Sequence, residues 1–180
     1  MRGASRGVAR RYARAIFEVA AAAGTARALR PELEASARAF SVTPELRRAL
    51  EHPALPIEKK RGLIAKLFAA GSPLLLKSLD LLLERGRLPL LPSVAEEYAA
   101  ALLASENTQS AEVVTATPLG ADDAARIETA LRQLTGSGIE LRSRIEPELL
   151  GGVLVKIDGR DYDGTVRGRL RALRARLLTA

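Results

Sequence analysis

The amino-acid sequence predicts an α+β fold of two domains: an N-terminal six-helix bundle followed by a small β-α-β-β-α domain. Three observations predict it. Pro and Gly divide residues 1–105 into short segments with apolar residues at helical spacing. After Asn107 the pattern turns to β-branched runs and alternation. The chain then closes on Gly151-Gly152-Val153-Leu154-Val155-Lys156-Ile157-Asp158, followed by Asp163-Gly164-Thr165-Val166-Arg167-Gly168-Arg169-Leu170. That stretch reads as strand, tight turn, strand end and capped helix.

The first helix runs from about Ser5 to Ala23 and stops at Gly24. A second spans about Pro31 to Phe40. Thr43-Pro44 is an N-cap with Pro at the first helical position and opens a short third helix. Pro56 opens a fourth, ending near Gly71, and Ser72-Pro73 a fifth, ending at Gly86. Pro92 opens a sixth, with Val94, Tyr98, Ala101 and Leu102 at helical spacing. Short helices joined by short punctuation make a compact bundle.

The second domain, residues 106–180, starts with the run Ala111 to Thr117, where Val113, Val114 and Thr115 favour a strand. Asp122 to Leu134 is an amphipathic helix with Ile127, Leu131 and Leu134 inward. Gly136-Ser137-Gly138 is a turn, and Ile139, Leu141 and Ile145 begin a second strand pattern. Val153, Val155 and Ile157 alternate with Leu154 and Lys156, as a half-buried strand requires. Asp163-Gly164 is a turn dipeptide, and Thr165 accepts from a free backbone N–H to start a helix. That last helix carries Val166, Leu170, Leu173 and Leu177 on one narrow face, to be docked as a well-packed stripe. Arg167, Arg169, Arg171, Arg174 and Arg176 occupy its other faces.

Apolar residues make up 47% of 180, with three Phe, three Tyr and no Trp. The core is therefore built of Ala, Leu, Val and Ile, which favours close-packed helices. No Cys means no disulfide and no thiolate metal site. No apolar run approaches the roughly 20 residues of a membrane span. Met1 to Val8 has no apolar segment behind it, and the first helix leaves no room for a transit peptide. This favours a protein on the cytoplasmic side of a bacterial membrane.

The net charge of +7 lies entirely in residues 1–104, which hold 17 Lys/Arg against 10 Asp/Glu. A basic half prompts nucleic acid as a partner. Here the basic residues stand singly on polar helix faces without interleaved aromatics, and Glu18 breaks the face of the first helix. A solvated surface is the better reading, with a basic nucleic-acid adaptor as the alternative. Catalytic constellations are missing. The single His52 lies beside Pro53 with no Cys and no second His, so it reads as a helix-end residue. Asp158, Asp161 and Asp163 do not follow calcium-loop spacing, and Gly159, Gly164 and Gly168 form no phosphate loop. No cofactor is expected.

The fifth helix has two apolar arcs at about 100° per residue. Leu75, Leu76, Leu79, Leu82 and Leu83 form one; Leu74 and Leu81, flanking Lys77 and Ser78, form the other. The pattern alone leaves open whether the helix is buried all round or lines a groove. The first helix is similarly broad, its apolar arc running from Ala15 and Val8 through Tyr12, Ile16 and Ala20 to Phe17.

Three segments resemble the ATP synthase delta subunit family, relatives of the mitochondrial oligomycin-sensitivity-conferring protein. They are the C-terminal stretch above, Val8-Ala9-Arg10-Arg11-Tyr12-Ala13-Arg14-Ala15-Ile16-Phe17, and Glu84-Arg85-Gly86-Arg87-Leu88 with Leu91-Pro92 and Tyr98. Their order and spacing span the chain. Thr165 stands where the family usually has Ser, and Asp161 where an apolar residue is commoner. The resemblance implies a non-catalytic stator subunit that resists rotor torque during proton-driven ATP synthesis. It implies that the first and fifth helices grip the N-terminal helix of an alpha subunit on the alpha/beta hexamer, with interface residues Tyr12, Ala15, Ile16, Val19, Leu74, Lys77, Ser78 and Leu81. It also implies that the C-terminal domain, with Gly151, Gly152, Asp163, Gly164, Thr165, Arg167 and Leu170 as its motif, holds the b subunits of the peripheral stalk. Membrane association would be indirect, through the complex.

Overall fold

The structure, a computed structural model, describes residues 2–157 and 159–178. It divides into two compact units, Met1–Leu102 and Leu103–Ala180. The first contains helices α1 (Arg2–Ala22), α2 (Ala26–Val42), α3 (Pro44–Glu51), α4 (Ile57–Leu67) and α5 (Pro73–Glu84), a 3-10 turn (Leu88–Leu90) and most of α6 (Leu91–Ser105).

One apolar cluster joins these helices. It takes Ala9, Ala13, Ile16 and Ala20 from α1, Leu29, Leu33 and Phe40 from α2, Leu75, Leu79 and Leu82 from α5, and Leu91, Val94 and Tyr98 from α6. Alanine at three of those four α1 positions lets a neighbouring helix approach closely. Tyr98 is fully buried, and its hydroxyl donates to the Ala26 carbonyl at 2.9 Å. Its ring meets Phe17 edge-on, with centroids 5.9 Å apart. Burial pushes the Tyr98 phenol up to about 12, so it remains a neutral donor.

The punctuation works as its chemistry demands at the end of α1 and the start of α5, whereas Thr43 precedes α3 without a side-chain cap bond and Pro44 alone marks that start. Gly24 adopts φ +67°, and Thr25 N–H returns to the Ala20 carbonyl at 2.9 Å, closing α1. The Ser72 hydroxyl accepts from Leu75 N–H at 3.2 Å and caps α5. Two helices differ from expectation. α2 begins at Ala26, so Pro31 lies inside it rather than at its start. Burial of Leu29 and Leu33 on either side of the proline outweighs the hydrogen bond it cannot make. α4 ends at Leu67, because Phe68 leaves helical geometry and a turn from Phe68 to Gly71 follows. A Cβ on Gly71 would lie 2.7 Å from Leu75 Cδ2.

The second unit runs β1 (Thr108–Thr115), α7 (Ala121–Thr135), β2 (Gly138–Ile145), β3 (Val153–Ile157), β4 (Arg160–Asp163) and α8 (Val166–Leu178). The sheet order is β2-β1-β3-β4, with β1 and β2 parallel and the other pairs antiparallel. The order is therefore β-α-β-β-β-α, one strand more than predicted. β4 is short, charged and exposed, and takes its backbone bonds from β3, with Leu154 opposite Asp163 and Ile157 opposite Arg160. Asp161, the departure from the family pattern, pairs across the ladder with Lys156. Gly159, just before β4, adopts φ +73°. Asp158 lies outside the described residues. Asp163-Gly164 is thus a strand-to-helix junction, not the tight turn.

Ala111 and Val113 of β1, Ile139 of β2, Val155 and Ile157 of β3 and Leu131 of α7 form this unit's core, with Ile127 beside them. Leu134, expected inward, is 60% exposed, since Leu131 already completes the buried face of α7.

Replacing Tyr98 by Phe should lower stability by about 1–2 kcal/mol, because the Ala26 carbonyl loses its buried donor while the ring stays in place. Urea titration should show a lower midpoint with an unchanged slope.

Candidate interaction surfaces

Three charged clamps brace the first unit. Glu97 on α6 receives Arg6 Nε at 2.7 Å and Arg10 Nε at 2.9 Å, both from α1. The two arginines lie one turn apart, so one carboxylate spans both and is largely covered by them. Hydrogen bonds from Arg10, then Arg6, hold the Glu97 carboxyl below its ordinary 4.5. Glu32 on α2 accepts from Ser72 N–H at 3.0 Å and from its hydroxyl at 2.6 Å, placing a negative charge at the α5 N-terminus. Arg61 on α4 reaches Asp80 at 2.6 Å and Glu84 on α5, and Glu58 at 3.1 Å on its own helix. None of these pairs was identified from sequence. The i, i+4 repeat of Arg6 and Arg10 was the available signal for the first.

α1 and α5 both feed the core cluster, and each also turns residues outward. Val19 is 55% exposed and Leu81 37%; Ala15 and Lys77 are also exposed. Tyr12 and Leu74 are partly buried against the core. Ile16 and Ser78 are buried, and the Ser78 hydroxyl is engaged with the Leu74 carbonyl at 2.7 Å. These two support their helices from beneath and are not available as surface anchors. Lys77 also lines, with Leu76, Asp80, Arg61, Ile64 and Ala65, an apolar cavity of about 250 Å³ between α4 and α5. His52 caps α3, and its Nδ1 accepts from Ala54 N–H at 3.2 Å. It is a helix-end residue, as its sequence context predicted.

The C-terminal motif converges on the root of α8. Thr165 caps the helix by accepting from Gly168 N–H at 3.0 Å. Asp163 Oδ1 in turn accepts from the Thr165 N–H at 2.9 Å and hydroxyl at 2.6 Å, and these bonds hold its carboxyl below the usual carboxylate range. A Cβ on Gly168 would come within 2.6 Å of that carboxylate. Gly151 accepts from Val166 N–H at 3.0 Å, and Val153 from Gly164 N–H at 2.9 Å. Gly152, at φ +81°, lies so close to the junction that a Cβ would meet the Gly164 oxygen at 2.5 Å. Arg167 donates to the Glu148 carbonyl at 3.0 Å. Sequence reasoning recognised the motif but missed Gly168 as the position that leaves room for the Asp163 carboxylate.

Beyond this root the expectation fails. The stripe on α8 is not packed: Leu170 and Leu173 are each 55% exposed, Leu177 is 72% exposed, and Val166 is also exposed. None of them joins the core of the second unit. The helix is amphipathic as its spacing predicts, but these four side chains stay exposed among the described residues.

The family described as ATP synthase delta (OSCP) subunit matches residues 8–177. The chain belongs to the ATP synthase delta (OSCP) family. It is 37% identical to the ATP synthase subunit delta of Moorella thermoacetica, over 92% of this chain and 93% of that one. It is 34% identical to that of Geobacter sp. strain M21, over 91% and 92%. Among solved structures it matches a chain of the Toxoplasma gondii mitochondrial ATP synthase hexamer with a TM-score of 0.70 and 27% identity, covering 94% of this chain and 97% of that one. As a delta subunit it is a non-catalytic stator component of F1Fo ATP synthase, serving ATP synthesis and ion transport as part of the complex. No described helix is long and apolar enough to cross a membrane.

Because the folded Glu97 carboxyl titrates below its unfolded value, its stabilisation is complete above pH 4.5 and is lost as pH falls through the lower folded value. Wild-type melting temperature should therefore drop more steeply below pH 4.5 than that of Glu97→Gln, the two curves converging in acid. Separately, Gly152→Ala should destabilise the second unit by about 2–4 kcal/mol, from the positive φ and the backbone clash together. Hydrogen exchange should show the loss confined to residues after 103.

Proposed function

We propose that the two units grip two different partners and carry torque between them. In this reading the six helices of the N-terminal unit act as one bundle that binds the N-terminal helix of an alpha subunit on the alpha/beta hexamer. Tyr12, Ala15 and Val19 of α1 and Leu74, Lys77 and Leu81 of α5 make the contact, over the buried support of Ile16 and Ser78. The C-terminal unit holds the b subunits of the peripheral stalk at the cytoplasmic face of a bacterial membrane. Membrane association is indirect.

The observation that carries this reading is that each unit exposes large apolar side chains: Val19 of α1 and Leu81 of α5 on the first, and Leu170, Leu173 and Leu177 along α8 on the second. A stator must not turn with the rotor, so its contacts must be stiff and hold together under load. Apolar anchors on braced helices meet that need, and no reacting group is required. The nucleic-acid alternative has no support, because the excess positive charge of α1 and α4 is partly spent on the Glu97 and Arg61 clamps.

Leu81→Asp in the full chain should lower the melting temperature without unfolding the bundle, since Leu81 is only partly covered at 37% exposure, while weakening binding of an alpha N-terminal peptide by tenfold or more, on the order of the loss of one anchor. Calorimetric titration checks it. Unchanged affinity with retained fold would remove α5 from the interface.

A further inference from the structure

The four apolar residues of α8 have more structure than a stripe. Val166, Leu170, Leu173 and Leu177 are separated by four, three and four residues. This is the d-a-d-a spacing of a heptad seam, narrower than the face that packs a helix onto a sheet. In that register the two e positions are Arg167 and Arg174, and the two g positions are Arg169 and Arg176. Every position that borders the seam is therefore arginine, and α8 contains no acidic residue.

We propose that α8 is one strand of a two-stranded coiled coil whose partner is a helix with an apolar a/d seam bordered on both sides by carboxylates. The inference deepens the stalk-binding reading and rests on it: it names the chemistry that the stalk helix must present.

The flanking charge decides the partner. Two copies of α8 laid seam to seam would set arginine against arginine along both borders, whether parallel or antiparallel. Like charges there are repulsive, so the sequence that invites an acidic helix also rejects self-pairing. Arginine also makes forked, bidentate bonds to carboxylates, which a lysine border would not. At 13 residues α8 is too short to be a stable helix by its own propensity. The Asp163–Thr165–Gly168 cap and the Gly151–Val166 backbone bond supply the nucleus, so α8 is presented already wound. The seam extends about 20 Å, roughly two heptads, which gives a modest contact rather than a permanent one.

The test uses the full chain and two synthetic three-heptad helices, both with Leu at a and d. One carries Glu at every e and g position, the other Lys. Fluorescence anisotropy should show the Glu helix binding, with affinity falling about tenfold or more from low to high salt, and the Lys helix binding at least about a hundredfold more weakly. Leu170→Gln with Leu173→Gln should abolish binding of the Glu helix with the melting temperature nearly unchanged, because both leucines are more than half exposed and Gln keeps helix propensity without adding charge. Arg167→Glu with Arg174→Glu should shift the preference towards the Lys helix. Equal binding of the two helices, binding that survives the leucine double variant, or a wild-type dimer abolished by that variant would each overturn the proposal. A fragment of the b subunit, titrated in parallel, separates the two levels. If it binds wild type and leucine variant equally, the stalk reading stands and the coiled coil falls. If it fails to bind wild type, both fall.

Discussion

Between Gly152 and the Gly164–Thr165 backbone there is no room for a side chain. That approach decides where the last strand ends and where α8 begins. Once the two backbones meet, Val153 and Gly151 can each accept an N–H from across the junction. Asp163 is then placed to hold Thr165, and Thr165 to cap the helix. Each bond is ordinary in strength. Together they fix an otherwise marginal helix at one end while leaving its apolar seam uncovered.

The first unit solves the same problem with different means. Its core is leucine and alanine with few rings, so shape specificity rests on close helix approach and on a single buried tyrosine. The Glu97, Glu32 and Arg61 clamps then tie α1 to α6, α2 to α5, and α4 to α5. Exposed ion pairs contribute little to stability one at a time. Glu97 differs, because one covered carboxylate serves two guanidinium groups on successive turns. Among the described residues no buried side-chain nitrogen or oxygen lacks a hydrogen-bond partner. A well-satisfied interior with apolar rows on its surface suits a part whose task is to be held firmly and not to deform.

A stator component transmits force only as well as its more compliant joint. The Glu97, Glu32 and Arg61 clamps brace α1 and α5, and the Gly152 junction pins the root of α8. In the proposed coiled coil, arginine at every flank of the α8 seam would make the wrong pairing repulsive instead of merely weaker.

Much of this was legible in the residues. Thr43-Pro44, Ser72-Pro73, Gly24 and Gly136 act through their own backbone preferences, so the helix ends they mark follow from local chemistry. Alternation in Val153–Ile157 and heptad-like spacing in Val166–Leu177 likewise depend only on side-chain period. Other features need distant partners. The strand Arg160–Asp163 has no apolar pattern and exists because β3 offers it a ladder. Pro31 stays inside a helix because Leu29 and Leu33 are buried beside it. Ile16 and Ser78 looked like surface residues until the core closed over them. An amphipathic period records that a helix has a face to bury, so the helical spacing, the Ser72 cap and the apolar stripe of α8 were all readable before folding. What each face meets is a long-range matter of packing, visible only once the chain is folded: α1 and α5 bury most of their apolar arcs, while Leu170, Leu173 and Leu177 of α8 stay exposed.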